Sequence, residues 1–278
     1  MTKLLSILFF GLLISNTSFA QNIEKIKGNR IVTIIQTDIE SFHTIALDED
    51  FEVEIIYDKN PYVQIETDEN LHEVIEFQVI DSVLTFNKTL KITSKKKLNI
   101  KVTYNDAFRH VETTDDAEIV SLLTMDIENF SLKSSGSSKA GLTLKSNTFD
   151  FSGDDKSKVK LNVTSENCIL NLSGNGKVEA LINTSILSTS LYQRAIVNIE
   201  GSCDISKIDL DNNSEFNGRN FTINTCDIVC ASSSDAYLEV LKDITIEASG
   251  TSAVYLYQNP KLIVNKLTDT AKIQKKVK

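Results

Sequence analysis

The residues with the most chemical potential in this chain are its acids, its late tyrosines and its four cysteines. Asp115-Asp116, Asp154-Asp155, Asp211, Asp235 and Asp269 recur from residue 115 onward. Two carboxylates roughly 5–9 Å apart could act as acid and base on a glycosidic bond, and oxygen-rich turns could hold calcium. Aspartate is also a favoured turn residue, and that plainer role is expected here. A lyase-like site wants a base beside its acids, and only Lys156 and Lys158 lie near Asp154-Asp155. The Gly-Gly-x-Gly-x-Asp repeat of calcium β-rolls is absent.

His43, His72 and His110 are scattered and lack the close spacing that holds a metal. No Gly-x-Ser-x-Gly elbow or phosphate-cradling glycine loop occurs. The residues therefore nominate no catalytic group, no metal ligand and no cofactor. Tyr192, Tyr237, Tyr255 and Tyr257 are the one candidate binding set, since a tyrosine ladder on a wet surface could stack against sugar rings.

The elements that must carry these residues are announced by a repeat. Its turns read Thr114-Asp115-Asp116, Ser135-Gly136-Ser137, Ser152-Gly153-Asp154, Ser173-Gly174-Asn175, Ser190-Leu191-Tyr192, Asp211-Asn212-Asn213, Ala231-Ser232-Ser233, Ser249-Gly250-Thr251 and Leu267-Thr268-Asp269. The centres step by 21, 17, 21, 17, 21, 20, 18 and 18 residues, a period of roughly 19. Glycines at 136, 153, 174 and 250 suit left-handed turn positions, which Asn and Asp also tolerate.

Before each turn, apolar and polar residues alternate: Cys168, Leu170, Leu172; Cys226, Ile228, Cys230; Ile244, Ile246, Ala248. Such period-two patterning marks strands with one buried face. A 19-residue unit is too short for helical repeats and suits one coil of a solenoid. The expected fold is all-β: a single-stranded parallel β-helix, right-handed, with a less regular N-terminal β capping region.

Cys168, Cys226 and Cys230 fall at inward positions in this register. Cys168 and Cys226 lie three coils apart, beyond disulfide reach, so they are expected as free thiols; Cys203 cannot be placed or paired. Residues 38–105 are strand-rich but irregular, with one short helix expected over Glu69 to Phe77, capped by Asp68.

The ends speak to export. Lys3, an apolar run from Leu4 to Ile14, and Ser18-Phe19-Ala20 before Gln21 have the layout of a cleavable signal, with cleavage between Ala20 and Gln21. The run is too short to span a bilayer, and no later stretch approaches that length. Residues 1–20 are thus assigned to the signal, 21–37 to a lead-in, 38–273 to the repeat domain with regular coils from 106, and 274–278 to a basic tail. The net charge of −9 argues against nucleic acid as a partner.

The order of these motifs is similar to that of the auto-transporter adhesin, head GIN domain family, from about Phe42 to Ile273. The likeness rests on Phe42-His43-Thr44-Ile45-Ala46-Leu47, Phe51-Glu52-Val53-Glu54-Ile55, Asn70-Leu71 with Ile75, Asp81-Ser82-Val83-Leu84 and Leu98-Asn99-Ile100-Lys101-Val102. The recurring Ser-Gly turns carry it onward, decaying at 190, 211 and 231. The resemblance implies a β-helix, export and no known enzymatic activity, with no catalytic residue to transfer. The reading is an exported, non-catalytic binding or adhesion module, periplasmic or on the cell surface, with a glycan or a surface protein as ligand. Its rivals are a carbohydrate-active enzyme on the same scaffold and a purely structural envelope protein.

Overall fold

The computed structural model describes residues 24–277; the signal cleavage pair, Ala20 and Gln21, lies outside them. The chain winds into a β-solenoid of about nine turns with coils of about 19 residues.

Each regular coil is one strand bent in its middle. In Lys158–Leu172, Val159, Leu161 and Val163 point inward along the first arm, and Cys168, Leu170 and Leu172 along the second. Equivalent strands pair in parallel with the coil before and after, so each inward residue joins a column. One column runs Phe130, Phe149, Cys168, Leu187, Ser206, Cys226, Ile244. Adjacent members are separated by the interstrand spacing of about 4.8 Å.

This column confirms that Cys168 and Cys226 stand three coils apart. All four cysteines are buried and free. Cys203 takes its place in the column Ser146, Ser165, Thr184, Cys203, Ile223, at the bend between the arms.

The turn register differs from that expected of the sequence. The left-handed residues at the turns of the regular coils are Asp115, Gly136, Asp155, Gly174, Gln193, Asn212, Ser232, Gly250 and Asp269. Their spacing is steadier than the Ser-Gly pairs suggest: five consecutive turns, from Gly136 to Asn212, are 19 residues apart. Gly153 is not a turn glycine. It ends the strand Lys139–Gly153, where an added Cβ would come within 2.4 Å of Leu172 Cδ1 and 2.6 Å of Phe151 Cζ. Leu191 is likewise a buried strand residue, with its turn at Gln193.

The N-terminal part closes one end of the core. Thr44–Leu47 and Glu52–Tyr57 form the first coil, and they pair directly with His110–Thr113 and Glu118–Ser121. The intervening chain, with the strand that precedes the first coil, makes antiparallel pairings: Ile75–Ile80 with Val83–Lys88, and Tyr62–Asp68 between Val32–Asp38 and Leu98–Tyr104. The expected helix is a shorter 3-10 turn, Glu69–Val74. Asp68 makes no side-chain cap bond; its Oδ2 accepts the Lys96 amide at 2.7 Å instead. The turn stops at Val74 because Ile75 enters the ladder opposite Lys88.

At the other end, Leu262, Val264 and Leu267 continue the columns of Ile244, Ile246 and Ala248. The penultimate residues are buried, but these last ones are 43–49% exposed because no further coil covers them among the described residues.

Candidate functional site

Two long furrows run across the coils. The first follows the turns, with a volume of about 690 Å³. One wall is the outward column Ser152, Asn171, Ser190, Asp209. The other is formed by the residues that enter each turn, Asp154, Ser173, Tyr192 and Asp211, and Leu172, Leu191 and Leu210 line the groove between them. Both walls change residue with every coil, so polar groups recur at the coil spacing while Tyr192, 49% exposed, supplies the aromatic surface.

The second furrow, about 770 Å³, lies on the outer face of the first arm. Its central column reads Lys160, Glu179, Asn198, Asn217, and the same ladder position continues past the furrow to Tyr237 and Tyr255. The members engage one another in pairs: Lys160 and Glu179 at 3.5 Å, Asn217 Nδ2 donating to Asn198 Oδ1 at 3.1 Å, and Tyr237 stacked on Tyr255 with centroids 4.6 Å apart. Tyr257 accepts a hydrogen bond from Arg219 Nε at 3.0 Å, and Lys276 lies over the Tyr255 ring.

The four nominated tyrosines therefore divide. Tyr237, Tyr255 and Tyr257 gather on the coils beyond the end of the second furrow, with their rings or hydroxyls already engaged. Tyr192 stands apart on the first furrow. The sequence reading missed the Ser152–Asn171–Ser190–Asp209 column beside it; aligned coil by coil, four small polar residues at one outward position would have been the signal.

The acids hold turns together. Asp154 Oδ1 accepts from Ser173 Oγ at 2.6 Å and from the Asp155 amide at 2.7 Å, and Asp155 Oδ2 accepts from the Gly136 amide. Asp211 Oδ1 accepts from Ser232 Oγ and the Asn212 amide, both at 2.6 Å. The Ser173 hydroxyl, with the Asp155 amide, lowers the pKa of Asp154. A carboxylate held ionised is the reverse of what a general acid needs. Among the described residues no group of three or more His, Cys, Asp or Glu side chains is placed to hold a metal.

The model of a family described as "Putative auto-transporter adhesin, head GIN domain" matches residues 41–182 and 156–260. The chain belongs to this family. The two matches overlap across coils of this head GIN domain, as a model able to slide along a repeat would do. Solved structures share the fold: a putative adhesin from Parabacteroides merdae (TM-score 0.67, 16% identity, 91% of this chain and 99% of that one) and another from Parabacteroides distasonis (TM-score 0.68, 12% identity, 90% and 100%). A third, described as a putative lipid binding protein from Parabacteroides distasonis, aligns at TM-score 0.62 and 16% identity, covering 91% and 100%. At these identities the likeness shows the fold alone. Among curated proteins, none matches this chain.

Proposed function

We propose that this head GIN domain is an exported, non-catalytic adhesion module that holds an elongated surface glycan in the furrow along its turns. The observation that carries the proposal is the register of that furrow: polar side chains repeat over four consecutive coils along one wall, from Ser152 to Asp209, before the column passes to Val229, and Tyr192 rises from the other wall. Each coil offers only a weak contact, and affinity comes from their repetition along a linear ligand. The family's adhesin description, the signal-like first 20 residues and the engagement of Asp154 and Asp211 in turn bonds all support the reading over a carbohydrate-active enzyme.

A polysaccharide screen tests it, scoring both retention of the protein and release of shortened products. Retention without release, lost on Tyr192→Ala, is the expected result. Release of products would overturn the non-catalytic reading.

A further inference from the structure

The C-terminal end of the solenoid departs from the rest of the molecule in both charge and polarity. Residues 258–278 carry six lysines and one acid, Asp269, so of the net −9 the other residues carry −14. The same end exposes Leu262, Ile263, Val264 and Leu267 on the edge strand Lys261–Leu267, and Val277 beyond it. None of Lys261, Lys266, Lys272, Lys275 and Lys276 forms an ion pair among the described residues. Lys275 is spent on Gln258 O and Asn259 Oδ1, and Lys276 on the Tyr255 ring. Lys261, Lys266 and Lys272 are left to face outward around the apolar edge.

We propose that this end docks on an anionic phospholipid surface. Lysines ringing exposed Leu, Ile and Val are what an interfacial binding face requires: apolar groups enter the headgroup boundary while ammonium groups meet lipid phosphates. The unpaired backbone of an edge strand cannot enter hydrocarbon unsatisfied, so contact stops at the headgroup layer, where water and phosphate can pair with it. A second copy meeting the first tail to tail would oppose two lysine-rich ends, and edge lysines discourage strand addition generally. The charge division also sets the pose: the acidic flanks are repelled by the anionic surface that attracts the end, so the axis stands away from the membrane.

Sedimentation of the purified protein with vesicles tests this, using phosphatidylcholine alone and phosphatidylcholine with 30% phosphatidylglycerol. Binding to the anionic vesicles alone, weakened by salt, is expected. Each of Lys261→Gln, Lys266→Gln and Lys272→Gln should cost about fivefold in affinity, and the triple variant roughly a hundredfold, with the thermal melt unchanged as the check on folding. Equal binding to neutral vesicles, insensitivity to the triple variant, or no binding to either vesicle would overturn the proposal. So would a concentration-dependent oligomer abolished by Leu262→Ser, which would assign the edge to a second copy. Because the furrow lies on the flank, Tyr192→Ala should leave vesicle binding intact, so the two proposals fail separately.

Discussion

Ser173 Oγ donates to Asp154 Oδ1 across one coil at 2.6 Å, and Ser232 repeats the bond to Asp211 three coils later. These are bonds between turns rather than within them, so each ties a coil to its neighbour at the place where the chain leaves the sheet. Replacing Asp154 by alanine removes an acceptor shared by two donors and should cost about 1 kcal/mol, discounted for its exposed position. The lowered pKa of Asp154 fixes the sign with pH: its contribution is present above the unfolded value of 3.8 and fades as pH falls through the lower folded value. Urea midpoints of parent and Asp154→Ala between pH 2 and 6 should therefore converge at the acid end. A constant gap across that range would sink the assignment.

The position of the fifth coil's turn makes a second test. Gln193 sits at φ 62°, a conformation costing an L-residue about 1–2 kcal/mol, against about 0.5–1 kcal/mol of extra chain entropy lost by glycine. Gln193→Gly should thus stabilise by about 0.5 kcal/mol. Leu191→Ala, two residues earlier, should destabilise by about 2–5 kcal/mol because it empties a buried position. Opposite signs in chemical denaturation would verify the register; a mild effect at 191 would contradict it.

The thiols give a third. Burial raises the pKa of Cys168 and of Cys203 to about 12, and it raises those of Cys226 and Cys230 as well. The native protein should resist thiol reagents at pH 8 and react at all four positions in denaturant. Stability should also fall as pH climbs from about 9 toward 12, because the unfolded chain loses these protons first. Buried Tyr104, also raised to about 12, adds to that slope. Replacing the four cysteines with alanine should flatten the decline, and rapid labelling of the native protein would refute the buried-thiol account.

Binding in the turn-side furrow yields a fourth. Tyr192→Ala should weaken retention of a bound polysaccharide by up to about tenfold, in line with about 0.5–1.5 kcal/mol for one stacked ring. Tyr237→Ala should act mainly on stability, since its ring already stacks on Tyr255. Isothermal titration of both variants separates the roles, and a larger affinity loss at Tyr237 would move the site to the other furrow.

What could be read from the residues was whatever repeats. Alternation revealed the inward face, the 19-residue period revealed the coil, and the place of Cys168 and Cys226 three coils apart followed from counting. The turn register was harder because left-handed positions here accept Gly, Asp, Asn, Gln and Ser, while a decoy Ser-Gly pair at 152–153 ends a strand. A steadier marker was present: Ala117, Ser138, Ser157, Gly176, Ala195, Ser214, Ser234 and Ser252 form a buried column of small residues just before each first arm. Close packing at the turn forbids anything larger, so size reports register there better than turn propensity does. The antiparallel cap could not be read, because its pairings happen once and have no echo. The polar wall beside Tyr192 escaped for a related reason: serine, asparagine and aspartate become a column only after the register is right.

The uniform spacing from Gly136 to Asn212 has a consequence for how such a protein can change over time. A whole coil inserted or deleted there keeps every column in step and alters neither end. Each such event lengthens or shortens the rod by one strand spacing, about 4.8 Å, so the reach of the molecule is adjustable like a ruler cut at its marks, while a change of another length has to be absorbed in a bulge, as it is between Asn198 and Glu200.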